Sequence, residues 1–192
     1  MSTAPHPAAG PKTFADRIQE QTGVHVARCY QCGKCSAGCP LASDMDYAPS
    51  LVLRMLQTGD PDLEKQVLRS MSIWLCLTCE TCIARCPMEI DIPKMMDFLR
   101  QESMRQCQVN PRAKNIIAFH KAFLDSIQVT GRLYEVGLIA DFKARSLRLT
   151  QDLNIAPSMF FKGKLPIFPE MVKDRVNLAR IFKKTVRREE GI

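Results

Sequence analysis

Eight of the chain's nine cysteines fall in two runs of identical spacing. Cys29, Cys32, Cys35 and Cys39 are followed by Pro40. Cys76, Cys79, Cys82 and Cys86 are followed by Pro87. Both runs read C-x2-C-x2-C-x3-C-P. Thiolates are metal ligands and redox groups. Three of them at steps of three suit three irons on one face of an iron–sulfur cubane, and the fourth corner must be filled from elsewhere in the chain. Structural zinc is the alternative. Its all-cysteine sites use two C-x2–4-C pairs with a long spacer, and two runs of four closing in Cys-Pro do not have that form. Each proline turns the chain just after a ligand and donates no amide hydrogen. Gly33 lets the backbone pass close to a cluster.

The elements that must position these cysteines read as helices. Thr13 caps a helix over Phe14 to Thr22, closed by Gly23. Leu51, Val52, Met55 and Leu56 recur at helical spacing within Ala48 to Thr58. Asp60-Pro61 restarts the chain as cap and first helical residue, with Leu63, Val67 and Leu68 on one face. Asp91 and Pro93 open a helix to about Gln106, striped by Ile92, Met95, Met96 and Leu99. Asn110-Pro111 opens another to about Val129, stopped near Gly131, and a further helix covers Leu133 to Leu149. A Pro-punctuated stretch, Asn154 to Pro169, holds Phe160, Phe161 and Phe168. A last helix runs from about Glu170 to Arg188. No stretch shows strand alternation. The expected fold is all-α, with a flexible tail over 1–12, a cysteine-rich domain over 13–108 and a helical extension over 109–192.

Composition narrows the setting. The chain has 192 residues, 46% hydrophobic and 24% charged, which is ordinary globular composition and enough to bury a core without staples. No secretory signal is expected in the polar, Pro-rich start. No apolar run approaches the roughly 20 residues of a membrane span. A reducing cytoplasm is the expected compartment, and there clustered cysteines mean metal or redox chemistry, not disulfides. The net charge of +7 is uneven. From Asp141 onward 12 Lys/Arg face 6 Asp/Glu, while the first 140 residues carry 15 and 14.

The cysteine spacing resembles that of two-cluster bacterial ferredoxins, in which the fourth cysteine of each run ligates the other cluster. That resemblance implies one [4Fe–4S] cluster on Cys29, Cys32, Cys35 and Cys86, and a second on Cys76, Cys79, Cys82 and Cys39. Compact ferredoxins join their runs by strands and short turns. Here Leu41 to Leu75 reads as two short helices, which favours a helical ferredoxin-like core with pseudo-twofold halves. Each oxidised cluster with its four thiolates would add roughly −2 to the charge, leaving basicity concentrated in the C-terminal arm.

Three segments narrow the likeness further: CYQCGKCSAGCP (Cys29 to Pro40), WLCLTCETCIARCP (Trp74 to Pro87) and GRLYEVGL (Gly131 to Leu138). Together they resemble the heterodisulfide reductase C-subunit family over residues 13 to about 150. The family implies a non-catalytic, cytoplasmic electron-transfer subunit with two [4Fe–4S] clusters, placed between a flavin-containing A subunit and a catalytic B subunit with CCG motifs. Sulfur-oxidising and quinone-linked complexes use related subunits. The quinone-linked chains normally add a C-x4-C-x2-C run, which this sequence lacks. The alternative of a different class is a metal-stabilised interaction or nucleic-acid-binding module.

The other candidates are weaker. Cys107 has no vacant ligand position to fill and reads as an ordinary thiol. Trp74 either shields a cluster or packs in the core. His6, His25 and His120 have no partners at metal spacing. On the last helix Val172, Val176, Ala179, Phe182 and Val186 lie near one face, with Lys173, Arg180, Lys183, Lys184, Arg187 and Arg188 on much of the rest. That arm, with Phe160 and Phe161 as anchors, is expected to dock a partner subunit. Membrane-surface attachment, nucleic-acid binding and a simple solvated helix are the alternatives.

Overall fold

A computed structural model describes residues 13–147, 156–162, 169 and 171–190, which form helices and turns without a strand among them. The chain divides into two compact units, Met1–Ala113 and Lys114–Ile192.

The first unit is built twice. Helix α1 is Phe14–Thr22, followed by a 3-10 turn at Val26–Arg28, α2 at Lys34–Ala37 and α3 at Pro49–Gln57. Forty-seven positions later the same order returns as α4 (Pro61–Arg69), α5 (Ser72–Leu75), α6 (Thr81–Arg85) and α7 (Ile92–Arg105), just as Cys29 returns as Cys76. The repeat seen in the cysteines therefore extends to the helices around them. Thr13 and Asp60 occupy equivalent cap positions. The Thr13 hydroxyl accepts from the Asp16 amide, and the Asp60 carboxylate accepts from the Asp62 amide at 2.9 Å. Gly23 closes α1 in the left-handed conformation.

The two halves interlock. Helix α1 packs on α7, α4 on α3, and α2 on α6. Helices α3 and α7 bury the same register: Pro49, Val52, Met55 and Leu56 in one, Met96, Leu99, Glu102 and Ser103 in the other. Ile18, Leu68, Ile73 and Met95 complete a core closed to solvent. The Phe14 and Phe98 rings meet at 6.0 Å, and the Arg17 guanidinium lies 4.7 Å from the Phe14 ring centre.

In the second unit, a 17-residue helix α8 (Lys114–Thr130) turns at Gly131 into α9 (Glu135–Ser146). Gly131 has φ +87°, and Val172 packs where its Cβ would sit. The Tyr134 ring likewise occupies the space a Cβ at Gly137 would need. These contacts account for the glycines and tyrosine of the GRLYEVGL segment. Arg145 of α9 ties to α8 through Asp125 at 2.6 Å and is held by Asp141, one turn back on its own helix, at 2.9 Å. The Phe119 ring meets Phe142 edge-on at 5.6 Å.

Two further helices follow, α10 (Ala156–Phe161) and α11 (Arg175–Glu190). The sequence reading gave α10 no helix, although Pro157 suits a helix start. It began α11 at about Glu170, whereas the helix starts at Arg175. Helix α11 packs on α8, and Leu178 and Phe182 are half-buried. Val176 and Ile181 are exposed, as are the cations Lys173, Arg180, Lys183 and Lys184. Phe161 is 87% exposed. His6, Phe168 and the side chains of Phe160, Val186, Arg187 and Arg188 lie outside what the structure describes.

Candidate metal centre

Both cysteine loops have the same backbone. The middle cysteine of each run sits between two left-handed residues. Gln31 (φ +64°) and Gly33 (φ +76°) flank Cys32, and Thr78 (φ +51°) and Glu80 (φ +61°) flank Cys79. Gly33 and Glu80 then cap the short helices α2 and α6. Left-handed conformation strains any residue with a Cβ by roughly 1–2 kcal/mol, so holding it at Gln31, Thr78 and Glu80 marks a shape the chain is built to keep. The result is a tight loop that presents the middle cysteine outward. Cys32 and Cys79 are exposed, and Cys35 one helical turn on is buried. Tyr30 and Leu77, also equivalent, are both exposed beside them.

The ends of the short helices cross between the halves. Gly38 and Arg85 are equivalent positions, and the Arg85 side chain lies where a Cβ on Gly38 would be. The residues that follow are Cys39 and Cys86. Cys39 lines one pocket together with Cys76, Cys79 and Cys82, walled by Leu41, Leu75 and Met96. Cys86 lies within electrostatic reach of Tyr30, as do Cys29 and Cys32. Among the described residues no three His, Cys, Asp or Glu side chains converge on a single-ion position. Cys39, Cys76, Cys79 and Cys82 offer four thiols to one pocket. The donor set fits a cluster that needs one thiolate at each of four separated corners.

Each loop is tethered from the helix that follows it. In the first, Gln57 Nε2 on α3 donates to the carbonyls of Val26 at 3.0 Å and Cys29 at 2.7 Å. Gln31 Nε2 donates to Gln57 Oε1 at 3.2 Å and to Cys29 Sγ at 3.3 Å. In the second, Arg100 on α7 donates through Nε to the Ile73 carbonyl at 2.6 Å and through Nη2 to the Cys76 carbonyl. Asp97 holds the same guanidinium at 2.8 Å. The sequence reading missed Gln57, Gln31 and Arg100. The available signal was a polar residue on or beside the apolar stripe of each helix.

The thiols differ in acidity in a way that repeats between the loops. The Lys34 amide, with the Tyr30 hydroxyl and the Lys34 charge, lowers the Cys32 pKa. The Thr81 hydroxyl and amide lower that of Cys79. Burial raises those of Cys35 and Cys76, and burial together with the neighbouring Cys76 charge pushes Cys82 up to about 11. Metal ligands must be deprotonated.

Trp74 is buried, and its indole N–H has no hydrogen-bond partner among the described residues. Cys107 is exposed. His25 is exposed, and His120 neighbours the Phe119 ring at 6.4 Å. No described helix is long and apolar enough to cross a membrane.

Known proteins point the same way. The family described as a 4Fe-4S dicluster domain matches residues 25–90, which hold all eight cysteines of the two runs. The chain is 39% identical over 75 residues to the C-type iron-sulfur subunit of the CoB–CoM heterodisulfide reductase of Methanopyrus kandleri, covering 39% of this chain and 38% of that one. It is 40% identical over 75 residues to a second C-type iron-sulfur subunit, from Methanocaldococcus jannaschii, with the same coverage. With the C-type subunit of the H2:CoB–CoM heterodisulfide,ferredoxin reductase of Methanothermobacter thermautotrophicus it shares 27% identity over 108 residues, 56% of this chain and 57% of that one. The chain thus spans less than two thirds of the length of each of these relatives. The likeness read from the cysteine runs holds: residues 25–90 match a 4Fe-4S dicluster domain, and the chain is similar to heterodisulfide reductase C-type subunits.

Proposed function

We propose that the chain is a one-electron relay holding two [4Fe–4S] clusters by crossed ligands. Cys29, Cys32, Cys35 and Cys86 hold one, and Cys76, Cys79, Cys82 and Cys39 hold the other. The observation that carries this is Cys39, a residue of the first run, lining one pocket with three cysteines of the second. The clusters supply reversible one-electron chemistry when bound. The protein's part is to fill every corner with a thiolate, which leaves no open iron for a substrate. Crossed ligands also keep the two sites close, as conduction needs.

The resemblance supplies the setting: a cytoplasmic complex in which this chain passes electrons between a flavin-containing A-type subunit and a CCG-type B subunit that handles the disulfide. The exposed Val176 and Ile181 and the cations of α11 support docking through the C-terminal arm. Truncation after Gln151 then abolishes co-purification with partner subunits. Retention of full assembly by the shortened chain removes the arm from this role.

Anaerobic purification followed by iron and sulfide analysis tests the relay itself. About eight irons and eight sulfides per chain, with paramagnetic centres on reduction, are expected. Two zincs and no sulfide contradict the reading.

A further inference from the structure

The two loops share a backbone but not their side-chain donors. Backbone amides serve the second and third cysteines of the two loops alike, and the Ile90 N–H adds a donor to Cys86 Sγ at 3.4 Å. Lys34 N–H reaches Cys32 as Thr81 N–H reaches Cys79, and Ser36 N–H reaches Cys35 as Ile83 N–H reaches Cys82. The side chains break the match. In the first loop the Gln31 amide donates to Cys29 Sγ at 3.3 Å and the Tyr30 hydroxyl lies beside the Cys32 thiol, while the Ser36 hydroxyl donates away from the cysteines, to Ser50 Oγ at 2.7 Å. In the second loop the residue equivalent to Tyr30 is Leu77, which has no donor. The equivalent of Gln31 is Thr78, whose hydroxyl donates instead to the Leu77 carbonyl at 2.7 Å. Only Thr81, bonded to Cys79 at 3.5 Å, runs the other way.

The identity of the Gln31 donor is fixed by its neighbours. Gln57 Nε2 lies against two backbone carbonyls, which only accept, so its Oε1 faces Gln31. The atom facing that oxygen must be Gln31 Nε2, and the same amino group points a hydrogen at Cys29 Sγ. Charge follows the same division. Lys34 lies beside Cys32, whereas Glu80 lies beside Cys79. Arg100, near Cys76, is paired with Asp97 at 2.8 Å.

An electron added to a cluster places extra negative charge on its sulfurs, and hydrogen-bond donors aimed at those sulfurs stabilise the reduced form. We propose that Tyr30 and Gln31 give the site of Cys29, Cys32, Cys35 and Cys86 the higher reduction potential of the two. The first electron delivered by a one-electron donor then resides there, with no bond made and no proton transferred. In a downhill relay the exposed Leu77–Cys79 turn is the entry side and the exposed Tyr30–Cys32 turn the exit side. This inference rests on the two-cluster relay proposed above.

Potentiometric titration of the anaerobically purified full chain, followed by EPR, resolves two midpoints. Tyr30→Phe and Gln31→Leu each lower the higher midpoint only, and together they shift the electron's partition between the sites by about tenfold, about 59 mV for a one-electron couple. Thr81→Val lowers the other midpoint only. The inference is overturned if Tyr30→Phe or Gln31→Leu moves the lower midpoint, if both leave both midpoints unmoved, or if the wild-type midpoints coincide. Those outcomes leave the relay standing when iron and sulfide remain at about eight per chain. A wild-type chain well short of eight irons removes the relay and this inference together.

Discussion

Helices α3 and α7 occupy equivalent places in the two halves and bury equivalent positions, yet they fill them with opposite chemistry. Where α3 has Leu53, Met55 and Leu56, α7 has Arg100, Glu102 and Ser103. Each polar residue of α7 has a partner that its apolar counterpart does not need. Arg100 holds the carbonyls of the second cysteine loop. Glu102 pairs with Arg17 at 2.9 Å and also meets Arg105 and Gln106. Ser103 Oγ donates to the Leu68 carbonyl at 2.8 Å. The difference shows that the repeat keeps the shape of the two loops, while the surroundings that support them are individual. Shape determines what can bind, and surroundings determine how the two bound groups differ.

The largest expected effect comes from forcing α3 to be like α7. Met55→Glu buries a carboxylate with none of the partners of Glu102 and is expected to cost about 3 kcal/mol or more. Chemical denaturation of the anaerobic protein measures it, and a cost below about 1 kcal/mol would mean that the two environments are equivalent after all.

The reverse exchange, Glu102→Met, leaves only partly exposed arginines unpaired and is expected to change stability at pH 7 by no more than about 1–2 kcal/mol. Its signature lies in acid. Burial raises the Glu102 pKa, but Gln106, Arg17 and Arg105 together outweigh it and hold the carboxyl below its ordinary value. A depressed carboxylate pKa contributes stability that is present above the unfolded value, about 4.3, and is lost as pH falls through the folded one. The variant should lack that acid limb in a series of unfolding curves taken from pH 6 to 3. An unchanged acid limb assigns the loss to other groups.

A smaller effect separates Gly33 from Glu80. Both are left-handed, and only the glycine is free of the Cβ penalty. Gly33→Ala should cost about 1 kcal/mol, with no clash involved because nothing lies within 4 Å of the added Cβ. Glu80→Gly should gain about 0.5 kcal/mol. Thermal unfolding of the two variants, moving in opposite directions, sharpens the equivalence of the loops. Shifts in the same direction break it.

These residues also show what could be read in advance. Helix α1 was legible to the residue, because Thr13 and Asp16 form a reciprocal cap and Gly23 a left-handed stop. The all-α class and the pseudo-twofold halves followed from the cysteine spacing and the helical spacer. Helices α2, α5 and α6 were not legible. At four or five residues they are too short for any period to appear. The 47-residue repeat of helices was hidden for a related reason. Helix α1 buries Phe14 and Ile18, whereas α4 buries Val67 and Leu68, so equal lengths carry unlike patterns. The tethers Gln57 and Arg100 escaped because their partners are backbone carbonyls, which leave no trace in the order of side chains.

The central claim is the crossing of ligands between the halves, and counting centres by EPR in single cysteine variants tests it most directly. Cys39→Ala and Cys76→Ala should each alter the same one of the two reduced centres, while Cys86→Ala and Cys29→Ala alter the other. If Cys39→Ala instead strikes the centre lost with Cys29→Ala, each run holds its own cluster and the crossing described here is wrong.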